Sequence, residues 1–159
     1  MSERSPQAAD HRIAVGVDGS PSARAALAWA AGQAELTGAT VEAVIAWRYP
    51  AVVCGGPFAP VGVLMDADFV GAAATVLSTA ISQAVDPASP VKVSSTVREG
   101  NPAQILIEAA DGADLLVVGS RGHGGFAEAL LGSVGQQCVQ DARCPVVIVR
   151  GPVGLTGPV

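Results

Sequence analysis

Short apolar runs alternate with alanine-rich stretches of helical pattern along most of the chain, and most junctions carry their own punctuation. Arg12–Val17 (RIAVGV) reads as a buried strand ended by Asp18-Gly19-Ser20-Pro21. Ser20 suits the N-cap of a helix, and Pro21 suits its first position, where the N–H would lack a helical partner anyway. The helix sets Leu27, Ala30, Ala31 and Ala34 on one face and stops at Gly38. Thr40–Trp47 is a second strand. Asp66–Val85 reads as a second helix with the stripe Phe69, Ala73, Val76, Ala80 and Ala84, ended by Pro87. Val91–Val97 alternates as a strand does. Asn101-Pro102 repeats the cap-plus-proline device, Ile105, Leu106 and Ala109 face inward, and Gly112 closes that helix. Leu115–Val118 is apolar throughout, the mark of a strand covered on both faces. Ser133–Asp141 is a fourth helix and Pro145–Val149 a last strand.

Strict alternation predicts a parallel sheet with right-handed crossovers. The expected fold is α/β: a Rossmann-like, doubly wound sheet of five parallel strands in the order 3-2-1-4-5, with four helices covering both faces. Aromatics make up only 4% of the chain, so Ala, Val, Leu and Ile must fill the core, and small side chains let helices lie close on a sheet. The length of 159 residues suits one domain over 11–150. Residues 1–10 read as a disordered arm and 151–159 as a flexible tail. The Gly- and Pro-rich segment Arg48–Val63 is the longest irregular stretch in the middle of the chain, of the length and kind often used as a lid or binding loop.

Charge narrows the function. The net charge is −5 with nine Lys and Arg, too few for the positive footprint that a nucleic-acid backbone needs, so no nucleic acid is expected as a partner. No apolar run is long enough to span a membrane, and Met1–Asp10 carries no apolar signal segment; no membrane association is expected, and a cytoplasmic protein is. Cys54, Cys138 and Cys144 are odd in number and fit no disulfide or metal spacing, which suits reduced thiols.

The segment VVGSRGHGGFAEALLGSVGQQ concentrates glycine at the carboxyl end of the fourth strand, where ligands of such sheets sit. Glycine lets backbone turn and approach a ligand without a Cβ between them. Ser133 would cap the fourth helix, and the free N–H groups of Val134 and Gly135 would face an anion with the helix dipole behind them. The same residues also read as ordinary loop and cap glycines. No Lys follows them, which rejects a Walker-type loop. Gly122-His123-Gly124-Gly125-Phe126-Ala127 has dinucleotide spacing but lies after the wrong strand. Val118 stands where a nucleophile elbow needs Gly. Neither paired carboxylates nor a nucleophile beside a base is evident, so the chain reads as a binding protein rather than an enzyme.

Gly119-Ser120-Arg121-Gly122, nine residues, then Gly132-Ser133 resembles the G-x-x-G-x9-G-S/T signature of the universal stress protein family. The likeness extends over about residues 11–150, through Val15-Gly16-Val17-Asp18-Gly19-Ser20, Glu99-Gly100-Asn101-Pro102 and Cys144-Pro145-Val146-Val147-Ile148-Val149. It implies an ATP-binding sensor or regulator in the stress response. Asp18 would line the adenosine side, the backbone at Ala46 would meet adenine, and Gly16 and Val17 would form the wall. Gly119 would lie by the ribose, Gly122, Gly132, Ser133 and Val134 would hold phosphates, and Arg121 could add charge there. Mg²⁺ could arrive with the nucleotide, and weak hydrolysis would be compatible. The resemblance also implies a homodimer through the last strand and an unknown downstream protein partner. The alternative is a dimeric stress-response interaction module that does not use nucleotide.

Overall fold

The computed structural model describes residues 11–48, 68–120 and 131–151. Within them the chain runs β1 (Arg12–Gly16), α1 (Pro21–Thr37), β2 (Thr40–Trp47), α2 (Phe69–Ala84), β3 (Val93–Glu99), α3 (Pro102–Ala109), β4 (Leu115–Gly119), α4 (Ser133–Asp141) and β5 (Val146–Val149). The five strands form one sheet in the order β3-β2-β1-β4-β5, and every pairing is parallel. The expected fold is therefore the observed one.

The helices start and stop where local chemistry dictates. Ser20 Oγ accepts the N–H of Ala23 at 3.2 Å, and Gly38, at φ +76°, closes α1 by donating to the Ala34 carbonyl. Asn101 Oδ1 accepts from Gln104 N–H at 3.2 Å at the head of α3, and Asp68 Oδ1 accepts from Gly71 N–H at 2.7 Å at the head of α2. That carboxylate fixes the start of α2 at Phe69, later than the pattern suggested. Leu77, not Val76, is the buried member of the α2 stripe beside Ala73 and Ala80, and Val76 is exposed. The third strand is shifted two residues beyond its predicted bounds, because its ladder runs from Val41↔Val93 to Trp47↔Glu99.

The two-residue period of the strands sorts the core into two layers. Ile13, Val15, Val41, Ala43, Ile45 and Val117 pack against α1 and α2. Ala14, Val44, Leu116 and Val118 meet Ile105 and Leu106 of α3 and Cys138 of α4 on the opposite face. Both faces of the sheet are thus covered. Among the described residues, no helix is long and apolar enough to cross a membrane.

Candidate functional site

Strand order sets where the crevice lies. The chain leaves β1 toward the α1 face and β4 toward the α4 face, so the sheet divides above the carboxyl ends of these two neighbours. The heads of α1 and α4 flank that point.

On the α1 side, Asp18 is exposed and its Oδ1 accepts the Ser20 N–H at 2.8 Å. Gly19 makes the turn at φ +82°, a conformation costly for residues with a Cβ. Ser20 and Ser22 are both buried, with their hydroxyl oxygens 3.4 Å apart. Val17 donates its N–H to the Val44 carbonyl at 2.8 Å and buries its side chain in the α1 layer. Ala46 is half-buried on the α3 face, paired in register with Arg98.

Two glycines predicted to admit a ligand have packing reasons of their own. A Cβ on Gly119 would lie 2.5 Å from Ser22 Oγ and 2.8 Å from the Ala23 nitrogen, so glycine there lets the first turn of α1 close on β4. A Cβ on Gly16 would lie 2.7 Å from a Leu106 methyl. Gly151, just past β5, presses on Ser22 as well, with its own Cβ position 3.0 Å from Ser22 Cα. The head of α1 is therefore clamped from the β4 and β5 side by residues without side chains.

On the α4 side the expected cap moves by one residue. Gly132, not Ser133, is the N-cap, in extended backbone at φ −63° and ψ 161°, and no side chain caps the helix. Ser133 is the first helical residue and is exposed; Val134 is half-buried. No acidic residue occupies the first turn. Among the described residues the positive end of α4 thus has no carboxylate or hydroxyl cap, which favours an anion arriving from outside. Arg121 and Gly122 lie outside the described residues.

The described residues at either end of two connections are tied to one another. Gly132 donates its N–H to the Ser120 carbonyl at 2.9 Å, and Ser120 donates to Val149 at 2.8 Å, which fixes both ends of the glycine-rich connection on the sheet. Trp47 and Phe69 stack with ring centroids 6.3 Å apart and planes 7° from parallel, fixing the ends of the connection between β2 and α2. This stack is not among the contacts expected from the sequence. Its signal was present: two of only six aromatic residues flank the Gly- and Pro-rich segment. That segment lies outside the described residues apart from Arg48, which is exposed. Among the described residues, no group of three or more His, Cys, Asp or Glu is arranged to hold a metal ion.

The universal stress protein family model matches residues 11–150. A universal stress protein of Mycolicibacterium smegmatis is 34% identical over 138 residues, which cover 87% of this chain and 45% of that protein. The chain thus spans about half the length of that relative. The universal stress protein UspA from Lactobacillus plantarum has the same fold, with a TM-score of 0.71 at 24% identity over 89% of this chain and 98% of its own. A universal stress protein solved in complex with cAMP is 28% identical, with a TM-score of 0.57 over 90% of this chain and 98% of its own.

Proposed function

The chain belongs to the universal stress protein family, and we propose that this member binds an adenine nucleotide, ATP, as a sensor or regulator. The observation that carries this reading is the head of α4. It stands at the switch point of the sheet, capped by a glycine that supplies no acceptor, with no acid in its first turn. The relative in complex with cAMP supports the choice of an adenine nucleotide.

In this reading the phosphates lie at Gly132, Ser133 and Val134, with Arg121 and Gly122 of the loop beside them. The adenosine lies toward Asp18 and the Ala46 backbone, with Gly16 and Val17 as wall and Gly119 near the ribose. Mg²⁺ would be held by phosphate oxygens and water. The role is binding rather than turnover, because the glycine-rich segment offers no Lys for a γ-phosphate. ATP hydrolysis at ordinary enzyme rates would contradict that part. The downstream partner is a protein, met by a homodimer that pairs through β5.

A capping carboxylate separates binding from folding. Gly132 has backbone angles any residue adopts, and Asp is a better N-cap than Gly, so Gly132→Asp should hold or slightly raise the melting temperature. The same carboxylate would stand against the phosphates. Affinity for ATP by calorimetric titration should fall roughly tenfold or more, about 1.4 kcal/mol. Unchanged affinity would move the phosphates elsewhere. A parent protein that releases no nucleotide on denaturation, and takes up no ATP into the millimolar range, would leave the dimeric interaction module without nucleotide as the standing alternative.

A further inference from the structure

The outer side of α1 is apolar where a solvated helix would carry charge. Ala25, Trp29, Gly32 and Leu36 follow one another at intervals of four, three and four residues, the spacing of a single helical face. Trp29 is 39% exposed and Leu36 is 82% exposed. Gly32 sits between them in mid-helix, also exposed. A Cβ added there would meet nothing within 4 Å, and its backbone is not in the left-handed region. Among the described residues nothing in the packing calls for glycine at that position, and glycine is the poorest helix former after proline.

Two charges border the stripe. Turning 100° per residue, Arg24 and Glu35 fall on the flank away from Trp29 and Leu36. Arg24 donates to the neutral Gln83 Oε1 at 2.9 Å. Among the described residues the ion pairs are His11–Asp114, Arg12–Glu42 and Arg98–Glu108, and neither Arg24 nor Glu35 is in one.

We infer that this face of α1 packs against the same face of a second copy of the chain, the two helices antiparallel about a two-fold axis. The stripe is complementary to itself in that arrangement. Trp29 lies over Gly32 of the second copy, Leu36 lies over Ala25 of the second copy, and the symmetry repeats both contacts. The missing Cβ of Gly32 is the recess that an indole ring fills. A two-fold axis keeps like flanks together, so Arg24 meets Glu35 of the second copy twice. Size and charge fit between the face and itself, which selects a second copy over an unrelated partner. The interface has the composition of an association hot spot, a tryptophan centred among small residues. It is independent of the nucleotide reading and of pairing through β5.

Sedimentation equilibrium of the full chain, from about 1 to about 500 µM, tests the pairing. Leu36→Glu should weaken one association step roughly tenfold or more and leave the melting temperature unchanged, since that side chain is 82% exposed. Arg24→Glu alone and Glu35→Arg alone should each weaken the same step, and the double reversal should restore it. Restoration requires positions 24 and 35 to meet across the interface, which neither a folding defect nor contact through β5 would produce. A monomeric parent over the whole range, a Leu36→Glu variant that associates as the parent does, or a double reversal as weak as the singles would overturn the inference.

Discussion

Cys138 lies in the second half of α4, fully buried against the α3–α4 face of the sheet. Burial pushes its thiol up to about 11, and the charges of Asp141 and Cys144 push the same way. An unfolded thiol ionises near pH 9, so the folded chain holds this proton longer. Below that pH the two states bind the proton alike and the residue leaves stability unaltered. Between about pH 9 and pH 11 the unfolded state alone releases it, and folding loses up to about 2 kcal/mol. Cys138→Ala removes the titration and costs a small cavity instead. Urea melts should therefore show the parent's advantage over the variant narrowing across that range; a constant gap would contradict the assignment. Single residues are also where the sequence is hardest to read. Ser133 looked like the cap because Ser usually is one, yet the chain turns one residue earlier, at Gly132. Val76 and Leu77 could not be ranked because α2 carries no charge to mark its outer face.

At the scale of elements, the sheet divides its labour between its two ends. The carboxyl ends carry the crevice; the amino end is stapled by Arg12. Its Nη1 donates to Glu42 Oε2 and to the Ala109 carbonyl, both at 2.6 Å, and its Nη2 donates to the Asp111 carbonyl at 2.9 Å. Glu42 Oε1 accepts from Thr96 Oγ1 at 3.2 Å. One guanidinium thus joins β1 and β2 to the end of α3, where its charge complements the helix dipole, and Glu42 extends the tie to β3. Arg12→Leu should cost about 2–3 kcal/mol, because it leaves a carboxylate only 21% exposed without its cation. Arg12→Leu with Glu42→Leu should cost less than the two single changes summed, by about 1 kcal/mol or more, in a double-mutant cycle read by denaturant unfolding. Strict additivity would show that the pair is not coupled. This staple was not legible in the sequence, since its partners lie far along the chain and two of them are backbone carbonyls. The caps at Ser20-Pro21, Asn101-Pro102 and Gly38 were legible, because everything they need lies within a few residues. Gly16 and Gly119 lie between these cases. Their positions were visible, but only the folded neighbours Leu106 and Ser22 explain why a side chain is excluded.

For the molecule as a whole, the two edges of the sheet differ in kind. The β3 edge exposes Ser94, Ser95, Arg98 and Glu99, while β5 is Val146-Val147-Ile148-Val149 throughout. A polar edge resists strand addition and an apolar one invites it. The bonds from Leu116 N–H to the Pro145 carbonyl and from Ser120 N–H to the Val149 carbonyl turn the odd-numbered positions of β5 toward β4. The N–H of Ile148 therefore points outward, and Ile148→Pro should abolish the proposed strand-mediated dimerisation while keeping the β4 ladder. Light scattering on a folded variant, checked by circular dichroism, would measure this; a persistent dimer of unchanged affinity would exclude β5 as its seam. The alternation of elements was legible because each crossover is local, and the strand order follows from the winding rule. That winding puts β1, the first of these five strands to be made, at the centre of the sheet, where Ile13 pairs with both Val41 and Leu115. Those partners emerge at very different times during synthesis. The early half, β1 to β3, can assemble before the later strands are made, but one side of β1 must wait until residues 115–117 have left the ribosome. Until then the most buried strand of the finished protein is an open edge, and the nascent chain is most prone to wrong pairing on the strand that later holds the sheet together.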